Sequence, residues 1–282
     1  MARQLRLRPS VDVGLLDSRA VSDAHRHSPD PEPLEVWASP VTTGDGVREL
    51  TLEYSSRGDR VPGRLLLPEQ PGRRPLIIAG HGAGHHRSSP AMDAVCIPWA
   101  RKGAAVLSID LPLHGDRASA KLSEHLLAAL AGDTPTALQE DLWREALRQA
   151  VLDLRRGIDA AADHPEVDIS RAAYAGFSMG TLIGAAFCAA EPRLRAAALA
   201  IGGGGFGPAD LDPASFVGRI APRPILFVNA LRDERFPRSS SEALFDAAGD
   251  PKELQWFDCT HAALPGAALK AIWTFLGRAL EI

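Results

Sequence analysis

Short apolar segments alternate with longer amphipathic ones along most of this chain. At the start of the pattern, Arg48–Ser55 and Val61–Leu67 flank the turn-like sequence Ser56-Arg57-Gly58-Asp59, which predicts a β-hairpin. Six further runs are short and mostly apolar, as is typical of strands buried on both faces of a parallel sheet. These runs occupy residues 75–79, 104–109, 172–176, 195–201, 224–230 and 253–257.

Segments with helical periodicity lie between these apolar runs. The periodicity is strongest over residues 142–162, where Leu147, Val151, Leu154 and Ile158 share one face. Further helices are predicted at residues 179–190, 239–248 and 266–280. Strands and helices in alternation predict an α/β fold with a mostly parallel central sheet flanked by helices and opened by an antiparallel hairpin.

Two segments depart from this alternation. Residues 1–47 are rich in Pro, Asp, Ser and Arg and predict an irregular amino-terminal arm ahead of one α/β domain at residues 48–282. Residues 113–141 follow the fourth predicted strand and combine an apolar patch, Leu126–Leu130, with a Gly132-Asp133-Thr134-Pro135 break. We interpret them as a small lid over the carboxyl edge of the sheet, where open α/β sheets bind ligands. The alternative is a helix with a long surface loop.

Composition narrows the classes of function. The 282 residues carry a formal net charge of -4, which argues against nucleic acid or an anionic membrane as the main partner. No apolar run approaches the roughly 20 residues that span a bilayer, and no signal-peptide apolar region follows the basic segment Met1–Arg8, so we expect a cytoplasmic location. An odd count of three cysteines argues against a disulfide framework. The oligomeric state is left open, with a dimer as one option.

The most informative motif is Gly176-Phe177-Ser178-Met179-Gly180, between a short apolar strand and a helix of small residues. A strand that turns at once into a helix puts the middle residue into strained backbone geometry, and flanking glycines leave room for the neighbouring chain. Ser178 would then project its hydroxyl from the tip of the turn. Because a serine hydroxyl alone is a weak nucleophile, the motif requires a base, an acid and an oxyanion site elsewhere in the chain.

Candidates for the base and the acid follow two later strands. His261 comes after the last predicted strand, and an imidazole can accept and return a proton near neutral pH. Asp233 follows the preceding predicted strand and would fix the tautomer of His261 and stabilise the imidazolium. Glu234, beside it, and Asp210, after an earlier strand, are rivals for that role.

An oxyanion site needs backbone N–H groups aimed at developing negative charge. The glycine-rich loop at residues 80–84 follows the third predicted strand and can supply one donor, with Ala83 as first choice and Gly82 as second. The N–H of Met179 can supply another, because the first amides of a helix have no acceptor within it. We expect His81 to buttress this loop rather than to transfer protons.

No metal or cofactor is expected. His81, His85 and His86 lie close together in the sequence, but no Glu or Cys stands at ligand spacing, and adjacent histidines do not readily face one ion.

Taken together, these motifs resemble the α/β-hydrolase superfamily, in which the catalytic residues follow the chain order Ser, Asp, His. The stretches Ile109–Arg117 and Val167–Arg171 narrow the resemblance to dienelactone-hydrolase-like and acetyl-xylan-esterase-like serine esterases. The likeness covers about residues 48–282 and leaves the amino-terminal arm and the lid segment unmatched. True dienelactone hydrolases are similar in pattern but carry cysteine where this chain has Ser178, which argues against that particular lactone hydrolysis.

The residues and the resemblance imply a serine hydrolase that cleaves small-molecule carboxylic esters through a Ser178–His261–Asp233 triad and an acyl-enzyme, with Ala83 and Met179 as oxyanion donors. Alternatives on the same triad are a thioesterase, an amidase or peptidase, or a carbon–carbon bond hydrolase, because the pocket and not the nucleophile recognises the leaving group. A non-catalytic protein that binds small molecules is a further alternative.

Overall fold

A nine-stranded sheet lies at the centre of the molecule within residues 33–41, 46–131, 136–205 and 208–282, which this computed structural model describes. Its strands are β1 (Val36–Val41), β2 (Val47–Ser56), β3 (Asp59–Pro68), β4 (Arg74–Gly80), β5 (Ala105–Ile109), β6 (Val167–Phe177), β7 (Leu194–Ala200), β8 (Ile225–Arg232) and β9 (Lys252–Thr260). They lie in the order β1-β2-β3-β5-β4-β6-β7-β8-β9. Neighbours from β1 to β5 along this order are antiparallel, and all pairs from β5 to β9 are parallel. The predicted hairpin and the mostly parallel sheet are confirmed.

Helices pack against this sheet. In the described part of the chain they are α1 (Pro90–Arg101), α2 (Leu122–Ala131), α3 (Ala137–Ala162), α4 (Met179–Ala190), α5 (Ala214–Val217), α6 (Arg238–Ala247) and α7 (Gly266–Leu280). Helix α1 is missing from the predicted set because Pro90 and Pro98 obscure its periodicity, although a helix tolerates proline in its first turn, where Pro90 lies. None of these helices combines the length and the apolar character that crossing a membrane requires.

The expected irregular arm at residues 1–47 is wrong for Val36–Val41, which forms β1. This strand pairs along its whole length with β2 at the edge of the sheet, and five of its six residues are exposed. Backbone hydrogen bonds rather than buried side chains hold such a strand, and an edge position tolerates Pro40, so the sequence shows no apolar alternation there. Residues 1–32 and 42–45 of the arm lie outside the described residues.

The expected lid at residues 113–141 contains a single turn of 3₁₀ helix at Gly115–Arg117 and then α2, while residues 132–135 lie outside the described part. Helix α3 begins at Ala137, inside the expected lid and five residues before the predicted start. The reason is a capping box: the Thr136 hydroxyl accepts the N–H of Gln139 at 3.4 Å, and the Gln139 side chain accepts the N–H of Thr136 at 2.8 Å.

Candidate active site

Ser178 stands in the turn between β6 and α4. Its backbone has φ 53° and ψ -116°, a conformation that residues other than glycine rarely adopt. Its N–H donates to the carbonyl of Ala200 in the neighbouring strand β7 at 3.0 Å, which ties the turn to the sheet. This geometry lifts the Ser178 side chain out of the sheet at its carboxyl edge.

The flanking glycines are required by close packing. A Cβ atom on Gly176 would overlap the carbonyl group of Gly180, and one on Gly180 would overlap the carbonyl group of Gly80 at the end of β4. The buried Tyr174 hydroxyl donates to the Gly180 carbonyl at 2.7 Å and so holds the first turn of α4 against β6. The motif therefore brings β4, β6 and α4 closer together than any side chain would permit.

The register of the last two strands brings Asp233 and His261 together. Arg232 of β8 pairs with Thr260 of β9, so the next residue of each strand leaves the sheet beside the other. The two strands are parallel, and both residues therefore emerge at the carboxyl edge, as Ser178 does. Three positions far apart in the sequence meet at one edge of the sheet.

A continuous row of hydrogen bonds joins the three side chains. Ser178 Oγ lies 2.9 Å from His261 Nε2, and His261 Nδ1 lies 3.0 Å from each carboxylate oxygen of Asp233. A carboxylate can only accept, so Nδ1 carries the proton and Nε2 is free to accept the Ser178 hydroxyl proton. The Asp233 and His261 side chains are 3% and 14% exposed, which leaves little water to compete for these bonds.

Backbone amides keep Asp233 ionised. Its Oδ1 accepts the N–H of Arg235 at 2.8 Å and that of Phe236 at 2.9 Å. Burial by itself raises the pKa of Asp233, but the hydrogen bonds from His261, Phe236 and Arg235 outweigh burial and hold the pKa below its ordinary value. The carboxylate therefore presents a negative charge to the imidazole ring.

The two rivals of Asp233 have other partners. Glu234 accepts the backbone N–H of His261 at 3.1 Å, which lowers the pKa of Glu234 and steadies the loop but leaves the ring untouched. Asp210 accepts a hydrogen bond from Arg144 at 2.9 Å, away from the ring. Asp233 is thus the carboxylate that contacts the imidazole.

The glycine-rich loop after β4 lies directly against Ser178. A Cβ built on Gly82 would lie 3.4 Å from the Cβ of Ser178, and Gly82, Ala83, Ser178 and Met179 line one cavity. Met179 is the first residue of α4, so its N–H has no acceptor four residues earlier within the helix. The loop and the helix end therefore bring Ala83 and Met179, the two expected oxyanion donors, to the cavity beside the Ser178 side chain.

His81 holds this loop from inside the protein. The ring is fully buried, its Nδ1 lies 2.8 Å from the Gly82 carbonyl oxygen, and its Nε2 accepts the N–H of Leu111 at 3.1 Å. Burial lowers the pKa of His81 to about 3, so the ring stays neutral with its proton on Nδ1. Because C=O and N–H point in opposite directions across a trans peptide, holding the Gly82 carbonyl also sets the direction of the Ala83 N–H.

A cavity of about 690 Å³ is lined by Ser178 and His261. Most of its lining is apolar and comes from α1, α2, α4 and the segment that begins α7. The sequence analysis did not predict α1, so it also missed the part of the cavity that α1 supplies. A helix start at Ser89-Pro90 with Asp93 in the first turn was the available signal.

Metal-binding side chains do not gather here. Among the described residues, no three His, Cys, Asp or Glu side chains come together as possible metal ligands. Both ring nitrogens of His81 contact backbone groups. The absence of a metal and of a cofactor stays a prediction.

Solved structures of similar fold include two acetyl xylan esterases. The one from Paenibacillus sp. R4 is 21% identical, with a TM-score of 0.71 over 96% of this chain and 96% of that chain. The one from Thermoanaerobacterium sp. JW/SL YS485 is 19% identical, with a TM-score of 0.69 over 93% and 91%. A candidate dienelactone hydrolase from Klebsiella pneumoniae subsp. pneumoniae MGH 78578 is 19% identical, with a TM-score of 0.64 over 89% and 99%. These similarities confirm the α/β-hydrolase fold.

No curated protein matches the chain. The family model for acetyl xylan esterase (AXE1) matches residues 19–201, about two thirds of the chain. The match includes Ser178 and the loop at residues 80–84 but ends before Asp233 and His261. The expected class of enzyme, a carboxylic ester hydrolase, and the resemblance to acetyl-xylan-esterase-like proteins are confirmed. The chain belongs to the acetyl xylan esterase (AXE1) family.

Proposed function

We propose that this protein hydrolyses carboxylic esters by nucleophilic catalysis, with Ser178 as nucleophile, His261 as general base and Asp233 as the carboxylate that orients it. The observation that carries the proposal is the hydrogen-bonded row in which Ser178 Oγ lies 2.9 Å from His261 Nε2 and Asp233 lies 3.0 Å from His261 Nδ1. Both are hydrogen-bond distances, and the first is short enough for proton transfer from Ser178 to His261.

The first step forms an acyl-enzyme. Ser178 Oγ attacks the ester carbonyl while His261 Nε2 takes the hydroxyl proton, and the N–H groups of Ala83 and Met179 stabilise the negative oxygen of the tetrahedral intermediate. The intermediate collapses as the C–O bond to the alcohol breaks and His261 returns its proton to the departing oxygen. The ionised Asp233 stabilises the imidazolium while it exists.

The second step reverses the roles with water. His261 Nε2 removes a proton from a water molecule, the resulting hydroxide adds to the acyl carbon, and Ser178 leaves as it regains a proton from His261. The products are a carboxylic acid and the alcohol released before. No external oxidant, reductant or metal enters this scheme.

A labelling and burst experiment tests the assignment. Wild-type protein should react with a fluorophosphonate at Ser178 and release a burst of p-nitrophenol from an activated ester, whereas Ser178→Ala should do neither. Ser239→Ala is the matched control, because Ser239 is an exposed serine at the start of α6 and does not line the cavity. Undiminished labelling and turnover in Ser178→Ala would refute the proposal.

The same triad serves other leaving groups, and matched substrates separate the alternatives. A p-nitrophenyl ester, a thioester and a p-nitroanilide that share one acyl group differ in the bond cleaved and in its leaving group. We expect kcat/KM to be highest for the ester. A higher value for the thioester or the anilide would replace esters as the proposed substrates while retaining the nucleophile.

A further inference from the structure

The cavity at Ser178 has two halves that differ in their titratable side chains. The titratable side chains of Glu234, Arg235 and His261 line the half that follows β8 and β9. The other half is supplied by α1 and α2, and His85 is the titratable side chain that lines it. The strands that precede the two halves lie on opposite sides of β6, with β4 and β5, which precede α1 and α2, on one side and β8 and β9 on the other.

Apart from His85, the side chains that line the α1–α2 half are apolar. Its floor includes Met92 and Val95 of α1 and Leu182 of α4, which are 3–6% exposed. Its rim carries Leu127 and Leu130, which are three residues apart and so share one face of α2. Leu127 is 37% exposed, so part of its apolar surface is accessible to a ligand. These side chains offer an apolar surface and few hydrogen bonds to a ligand.

The direction of proton transfer decides which part of an ester enters each half. The departing alcohol oxygen receives its proton from His261 Nε2, so the alcohol must lie on the His261 side of Ser178. The acyl group stays attached to Ser178 Oγ and extends away from His261. It therefore enters the half formed by α1 and α2.

We propose that this half is an acyl pocket for apolar acyl groups much larger than acetyl, such as hexanoyl or octanoyl. The inference rests on the proposed function, since it takes Ser178 as the nucleophile and His261 as the proton donor. An acetyl group has one methyl to bury, whereas the two halves of the cavity together measure about 690 Å³, within the range of about 300–1,000 Å³ that encloses whole small molecules. An acetyl group would leave most of the leucine and methionine side chains of this half without an apolar partner.

The expected selectivity follows from the transfer free energy of methylene groups. Each fully buried methylene raises kcat/KM by up to about fourfold, because the stabilisation is made with the transition state as well as with the bound substrate. From acetate to hexanoate the gain should therefore be at least about tenfold, allowing for incomplete burial of the four added methylenes. A matched series of alkyl acetates, in which only the alcohol grows, should rise much less.

Two pairs of variants test the position of the pocket. Ala94→Phe fills the α1 wall, and Ala128→Phe is its control, because both alanines are exposed on helices but only Ala94 lines the cavity. Leu127→Asp places a carboxylate on the α2 wall, and Leu122→Asp is its control on the same helix, where Leu122 is 44% exposed and does not line the cavity. We expect Ala94→Phe and Leu127→Asp to lower kcat/KM for p-nitrophenyl octanoate by about tenfold or more and for the acetate by less than about twofold.

The outcomes separate this inference from the proposed function. If kcat/KM is highest for acetate and falls with acyl length while Ser178 still labels, the acyl pocket is wrong and the serine esterase stands. If the alcohol series rises instead, or if the control variants change selectivity as much as their partners do, the assignment of the α1–α2 half to the acyl group is wrong. If no ester is turned over and Ser178 does not label, the proposed function itself fails.

Discussion

Replacing Ser178 by glycine and by alanine separates the backbone cost of the nucleophile turn from its chemistry. Both variants lose the hydroxyl and its hydrogen bond to His261, but only the alanine variant keeps a Cβ atom. The backbone at this position has φ 53° and ψ -116°, which is open to glycine and unfavourable for residues with a side chain. The difference between the two variants therefore reports the strain at one residue, offset by the greater conformational free energy that glycine loses on folding.

The magnitude follows from two opposing terms. Strain of this kind costs about 1–3 kcal/mol, and glycine relieves it. Glycine also loses about 0.5–1 kcal/mol more conformational free energy on folding than alanine does. We expect Ser178→Gly to be about 1 kcal/mol more stable than Ser178→Ala, which raises Tm by about 2–4 °C in a domain of this size.

Thermal and urea unfolding of both variants measure this difference. The control is Ala128→Gly, since Ala128 lies on the exposed side of α2, where the same change should destabilise by about 1 kcal/mol. The two substitutions should thus shift stability in opposite directions. A Ser178→Gly protein that unfolds at a lower temperature than Ser178→Ala would mean that the turn is unstrained and that the explanation of the glycine-flanked motif is wrong.

Three further predictions concern single charged or titratable groups. Asp233→Asn should lower kcat by on the order of 10³–10⁴-fold, whereas Glu234→Gln should lower it by less than about tenfold, since of the two carboxylates only Asp233 contacts the imidazole. Equal losses of kcat in steady-state assays would contradict the assignment of Asp233 over Glu234. Because the pKa of His81 is lowered to about 3 in the folded protein, the unfolded chain alone gains a proton as pH falls below about 6.5, so His81 should contribute a loss of about 2 kcal/mol between pH 7 and pH 5. His81→Gln should flatten this dependence in urea unfolding at the two pH values, and an unchanged slope would mean that the ring is protonated in the fold. Arg117→Met should lower the free energy of unfolding by about 3–5 kcal/mol, because Arg117 Nη1 lies 2.6 Å from Oδ2 of the fully buried Asp153. Adding Asp153→Asn should recover part of this loss. No recovery in the double variant would show that the charge of Asp153 is not the cause.

The amino-acid sequence determined those features that depend on a residue and its immediate neighbours. The strained turn at Ser178 was predictable because it needs glycine on both sides and a strand and a helix of recognisable composition. Strands β2 and β3 were predictable as a hairpin around a turn-like sequence, and the central parallel strands because strands buried on both faces must be mostly apolar. The sequence also contains the capping box of Thr136 and Gln139 that starts α3. The predicted start was too late because the apolar periodicity of the helix begins after the capping box.

Only the tertiary structure decided the features that depend on distant contacts. Asp233 and Glu234 are adjacent and chemically alike, and the register that pairs Arg232 with Thr260 determines which of them reaches the imidazole of His261. Strand β1 is held by the exposed edge of β2 and leaves no apolar pattern of its own. The composition of the cavity depends on α1 and α2 facing Ser178 from separate parts of the chain. The physical reason is the same in each case: a side chain's partners across the sheet are set by strand order and packing, which local composition does not encode.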